Sequence, residues 1–136
     1  MRHKCVPLVL VFAMLTLAGC KKDAEIESVI AELHTFSEQL VAKVQSAPNP
    51  SAGVDEAQKL MDSRKADLQA KMNSIKNVRG YQVSKETQQK MTDTLTKDAM
   101  NVAGLQVKYV SVSMRDPAFK AKIEKLVKDY TDIFKM

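Results

Sequence analysis

Apolar residues recurring at spacings of three and four, in four runs separated by breaker residues, constrain this chain more than any other feature. Ile26, Val29, Ile30, Leu33, Phe36, Leu40 and Val44 share one face of a helix predicted over 23–46. Asp23, Glu25 and Glu27 lie in its first turns, where carboxylates suit the helix dipole. Pro48 and Pro50 stop it, because proline lacks the amide hydrogen that a helix interior needs. A second helix is predicted over 51–78, capped by Asn49 or Ser51. Its stripe is Val54, Ala57, Met61, Leu68, Met72 and Ile75, with Leu60 and Val78 on the flank. Arg64 falls on the same stripe, where its stem can pack while its head reaches water. Gly80 is placed for the left-handed residue that often follows a helix end.

Ser84, with Glu86 behind it, is set to cap a third helix carrying Met91, Leu95, Ala99, Val102, Leu105, Tyr109 and Val112. The stretch 105–114 is rich in β-branched residues and partly alternates, so a strand competes there; the spacing from Met91 runs through it and favours helix. Asp116 followed by Pro117 is a capping aspartate with proline in the first helical position. Phe119, Ile123, Leu126, Tyr130 and Ile133 then form the stripe of a fourth helix, flanked by Val127 and Phe134. With only four glycines, four prolines and no tryptophan, the composition also favours helix over sheet. Amphipathic helices joined by short turns must bury their stripes on one another. The expected fold is therefore all-α, an elongated up-down bundle of about four helices, the middle two roughly 40 Å long at ~1.5 Å per residue.

Ahead of this pattern lies a segment of another kind. Arg2 and Lys4 make a basic start, no charged residue occurs over 5–20, and 6–17 is almost wholly apolar. A bilayer-spanning helix needs about 20 apolar residues, so the run is short for a span and reads as a secretory signal. Its exit, Leu17-Ala18-Gly19-Cys20, resembles the lipobox of bacterial lipoproteins, a resemblance confined to roughly the first 20 residues. It implies a diacylglyceryl group on the Cys20 sulfur, cleavage between Gly19 and Cys20, and acylation of the new amino group. Lys21 stands where aspartate would favour retention in the inner membrane, which implies the outer membrane facing the periplasm. Two or three acyl chains, at about 0.8 kcal/mol per buried methylene, hold essentially permanently. The expected organisation is a leader over 1–19, a lipidated terminus and short tether over 20–22, and the bundle over 23–136. Three residues, Lys21 to Asp23, reach roughly 10 Å at ~3.5 Å each, which keeps the body close to the membrane.

The remaining residues point away from several function classes. The formal charge is +5, and the loss of Arg2 and Lys4 with the leader leaves a mild excess spread along the chain, so no nucleic-acid partner is expected. Cys5 leaves with the leader and the lipid takes Cys20, so the bundle has no thiol for disulfide, metal or redox chemistry. His34, without a second histidine beside it in the mature chain, reads as a boundary side chain in solvent; the carboxylates read as outward-facing. Met61, Met72 and Met91 sit on stripes and read as core fillers, with Met100, Met114 and Met136 scattered. Ser28, Ser37, Ser63, Ser74, Ser111 and Ser113 lack the glycine context of a nucleophile elbow. Lys120, Lys122, Lys125 and Lys128 alternate with Glu124, Asp129 and Asp132 as a mixed solvated face.

No metal, cofactor or catalytic residue is expected. The expected function is a membrane-anchored, non-enzymatic binding or structural module with a protein partner in the envelope. Its surface is sought in the turns 48–53 and 79–83 and in the loop before Asp116. The alternatives are an inhibitor or immunity-type lipoprotein that captures one toxin or hydrolase, and an enzyme or a ligand- or cofactor-binding bundle that uses His34 with methionines or carboxylates.

Overall fold

A computed structural model describes residues 22–78 and 80–135, the Tyr81 side chain excepted. The expected leader, the cleavage and lipidation site at Gly19 and Cys20, and the sorting residue Lys21 lie outside the described residues, as do Arg79 and Met136. The architecture is an all-α bundle: α1 (Asp23–Ser46), α2 (Pro50–Lys76), a short 3-10 turn (Gly80–Gln82), α3 (Lys85–Lys108), α4 (Val110–Arg115) and α5 (Pro117–Asp132).

The helix ends follow from local chemistry. Asn49 accepts from the Ser51 and Ala52 amides and starts α2 at Pro50. Ser84 accepts from the Thr87 amide, and Asp116 accepts from the Ala118 and Phe119 amides. The expectation for Gly80 is corrected: no described glycine has a positive φ, α2 ends at Lys76 with Asn77 as its cap, and Gly80 opens the 3-10 turn. The stretch 105–114 is helical but bends at Tyr109 (φ −104°, ψ 19°), which separates α3 from α4. Helical bonding resumes at once, since the Tyr109 carbonyl accepts from the Val112 and Ser113 amides. The bend seats the Tyr109 ring edge-on against Phe119, centroids 5.9 Å apart, and lets its hydroxyl donate to the Val44 carbonyl.

Directions alternate up and down, yet the order around the bundle is not the order in the chain. α1 packs on α2 and α3, and α5 packs on α2 and α3, so α2 and α3 stand on one diagonal and α1 and α5 on the other. The cross-links give the directions: Asp23 meets Ser84, Glu27 meets Lys90, His34 meets Asp98 and Val44 meets Tyr109, so α1 and α3 run parallel. Lys122 meets Asp55 and Lys65 meets Asp129, so α2 and α5 run parallel too. Residues 77–84 connect α2 to α3, and at up to ~3.5 Å each they easily cross a diagonal of roughly 13 Å between helices packed 8–10 Å from their neighbours.

The core holds the residues that the stripes nominate, among them Leu33, Leu40, Val44, Val54, Met61, Leu68, Phe119 and Leu126. α2 crosses α1 closely at Gly53. A Cβ there would stand 2.8 Å from the Val44 carbonyl oxygen and 2.9 Å from that of Lys43, which leaves room for glycine alone. α5 is 16 residues long against 27 for α2. Lys122 near its start bonds Ser51 and Asp55 near the start of α2, so the two helices begin level. α5 therefore runs out about 16 Å short of the end of α2. At the lower end of the bundle, where the Lys22 amide donates to the Gln82 carbonyl, three helices stand over that length among the described residues.

Candidate functional site

α3 departs from expectation in two ways. Its core-facing residues are Thr87, Asp98, Val102 and Leu105, with Met91, Leu95 and Tyr109 packed beside them. Asp98, expected with the other carboxylates to face outward, is 1% exposed, whereas Ala99, expected on the stripe, faces out. The reason is geometric: 91, 95, 98, 102, 105 and 109 continue the three-four spacing as well as a path through 99 does.

His34 meets this aspartate. Nδ1 lies 2.8 Å from Asp98 Oδ1, and Nε2 lies 3.4 Å from Glu38 Oε1 on the surface. An ionised carboxylate only accepts, so the hydrogen is assigned to Nδ1. His34 is thus not a free solvent-facing side chain but a clamp between α1 and α3. The second oxygen, Asp98 Oδ2, is buried without a partner among the described residues. Nearby, the Ser37 hydroxyl donates to the Leu33 carbonyl at 2.7 Å and so accepts from the Tyr130 hydroxyl, also at 2.7 Å, across the core. Burial pushes the Tyr130 hydroxyl up to about 12, opposed by the Ser37 bond and reinforced by the Asp98 charge. A histidine oriented by an aspartate has the form of a general base. Here, however, the neighbouring serine is buried in the core and committed to two hydrogen bonds.

Charge pairs tie the other faces. Arg64 and Lys71 both hold Glu32, so Arg64 reaches a carboxylate as well as water. Lys122 pairs with Asp55, Lys125 with Asp129, Lys128 with Asp132 and Lys120 with Glu124, as a mixed face should. Asp129 is buried enough to raise its carboxyl. Hydrogen bonds from Lys125, Lys65 and Gln58 outweigh that effect and hold it at about 2. Lys128 and Lys135 hold Asp132 well below the usual carboxylate range. Among the described residues no group of histidine, cysteine and carboxylates is arranged to hold a metal.

The second departure is an apolar surface. Met100, Val107, Val110 and Met114 are 69%, 76%, 50% and 81% exposed. With Ala103 they repeat at three-four spacing along the outward face of α3 and α4, the signature of a helix-pairing seam. Beside them runs a groove of about 570 Å³ between α3 and α5, lined by Leu95, Ala99, Met100, Ala103, Val127 and Phe134 among others. At Leu95 and Phe134 it adjoins a pocket of about 260 Å³ that continues past Met91, Met72 and Ile75 to Lys76 and Lys135 at the lower end. In the first expected turn Gly53 is buried; the exposed large apolar side chains lie on α3 and α4, Met114 among them just ahead of Asp116, where a helix stands in place of the expected loop. The 100-103-107-110-114 spacing is visible in the sequence and was the available signal.

No family model, curated protein or solved structure matches the chain.

Proposed function

We propose that this chain is a bacterial envelope lipoprotein, cleaved behind Gly19, lipidated at Cys20 and sorted by Lys21 to the outer membrane facing the periplasm. Its bundle acts as a non-enzymatic module that binds another envelope protein. The anchoring half rests on the Leu17-Ala18-Gly19-Cys20 segment behind its short apolar run. Among the described residues no helix is long and apolar enough to cross a membrane.

The binding half rests on one observation, the exposed seam of Met100, Ala103, Val107, Val110 and Met114. A seam of this spacing fits an amphipathic helix laid along it, and such large side chains cluster outward when a partner covers them. Photo-crosslinking residues placed at Val107 and Met114 in the lipidated chain should each give the same discrete adduct, while one at Lys59, on α2, gives none. Adducts of equal yield from all three positions would refute the docking face. Fatty-acid labelling lost in Cys20→Ala tests the anchor separately.

A further inference from the structure

We propose that the groove continuous from the lower end of the bundle to Ala103 holds the acyl chain of a long-chain fatty acid, its carboxylate at Lys76 and Lys135 and its tail along Met91, Leu95, Phe134 and Ala99. The proposal rests on the anchoring half of the reading above and goes beyond it.

The lower pocket lies past the end of α5, where Ile133 and Phe134 meet α2 and α3, and it joins the groove that runs up between α3 and α5; both are mainly apolar. Size separates the possible occupants. A helix 10 Å across laid along the ~18 Å from Met91 to Ala103 needs on the order of 1,400 Å³. The groove and its adjoining pocket offer about 570 and 260 Å³, so a helix would rest on them and not in them. A single acyl chain is narrow, and its length is set by one leaflet, about half of the ~30 Å hydrocarbon core. That ~15 Å matches the ~18 Å track. The lining suits a slender, flexible guest: Ala99 and Ala103 make the walls thin, and Met72, Met91 and Met100 can re-pack around it.

Charge selects the head group. Lys76 and Lys135 line the lower mouth. Lys135 pairs with Asp132, while no ion pair among the described residues engages Lys76, which leaves a cation free for a carboxylate. Position agrees with charge. The lower end is where Lys22 is tied to Gln82, and a lipid on Cys20 would begin within ~7 Å of Lys22. The mouth then opens at the level of the head groups.

The test uses the full lipidated chain in its own envelope membranes. A palmitic-acid analogue carrying a photoreactive diazirine and an alkyne handle is added, irradiated, and its adducts mapped by peptide mass. Adducts are expected in 91–103 and 127–134. They should fall tenfold or more in Ala99→Trp, whose exposed position lets the indole fill the groove, and severalfold in Lys76→Glu. Melting curves confirm that both variants fold. Adducts unchanged in Ala99→Trp, or spread equally over the outer faces of α1 and α2, overturn the proposal. So does an adduct found only as a link to the Cys20 peptide, which would make the occupant the protein's own lipid. Lipidation of Cys20 is read from the same sample by mass. A lipidated chain without groove adducts refutes the groove alone, and an unlipidated chain with them refutes the anchor alone.

Discussion

The His34–Asp98 pair makes an asymmetric prediction about stability. Asp98 is 1% exposed with one oxygen on His34 and the other without a partner among the described residues, whereas the His34 side chain is 37% exposed. Removing the histidine strands a buried carboxylate, and breaking such a pair from one side costs about 3–5 kcal/mol. Because His34 is partly wet, water can replace it, so the cost expected for His34→Ala falls below that range, at about 2–3 kcal/mol. Removing the aspartate strands nothing, since the imidazole can turn to solvent. Leucine at 98 joins a stripe between Leu95 and Val102; burying it is worth about 1.5–3 kcal/mol, less about 1 kcal/mol for its extra volume. Asp98→Leu should therefore stabilise by roughly 1 kcal/mol. Urea titrations with unchanged slope would show the two midpoints moving in opposite directions. His34→Ala made on the Asp98→Leu background should be nearly neutral. Equal destabilisation by both single substitutions would refute the reasoning, because the histidine would then not be acting by satisfying a buried charge.

Glycine gives a second pair of opposite signs. Gly53→Ala forces a Cβ against the Val44 and Lys43 carbonyls and should cost about 1–3 kcal/mol, whereas Gly104→Ala meets nothing within 4 Å in a helix interior and should gain about 0.5–1 kcal/mol, both read from thermal melts. Asp116→Ala removes the acceptor for the Ala118 and Phe119 amides and should lower stability by about 1 kcal/mol, restored in large part by Asp116→Ser. Asp129 sits at about 2 in the folded chain and near 3.8 when free, so its contribution of about 2 kcal/mol is complete above pH 4 and lost as the pH falls toward 2. The Lys65→Met variant should show a smaller loss over that window in urea midpoints.

The sequence carried the helices well and their neighbours poorly. Stripe spacing, the two prolines around Asn49, and Asp116 with Pro117 are local signals, and each names its own element. Which helix stands beside which depends on side chains far apart in the chain, and a stripe such as Leu33 to Val44 says only that something covers it. The diagonal placement of α2 and α3 was therefore hidden, although pairs such as Glu27 with Lys90 encode it. Asp98 was missed for another reason. Spacing allowed 98 as readily as 99, and residue type decided for alanine; a carboxylate is rarely fully buried unless paired, and its partner His34 lies in another helix. The outward seam is hidden in the sequence by the inward stripe that shares its helix and its spacing. At ~100° per residue, Met100 lies about 200° from Asp98 and Val102, on the opposite side of the same helix.

These departures meet on α3, and that has a dynamic consequence. α1 and α3 are both 24 residues long, but α1 buries eight residues and α3 four, one of them charged. Local opening follows the density of buried apolar contacts, so α3 should open at a lower free energy than α1 even though they run side by side. A guest in the groove adds apolar cover to Leu95, Ala99 and Ala103 and none to α1. It should therefore slow amide exchange in α3 selectively and narrow the gap between the two helices. Hydrogen exchange followed by peptide mass, with and without palmitic acid, reads both parts. Equal protection of α1 and α3 in the free protein would refute the packing argument. Slowing spread evenly over α1, α2 and α3 would mean that the fatty acid stabilises the fold without occupying the groove, and a selective effect on 91–103 would locate it there.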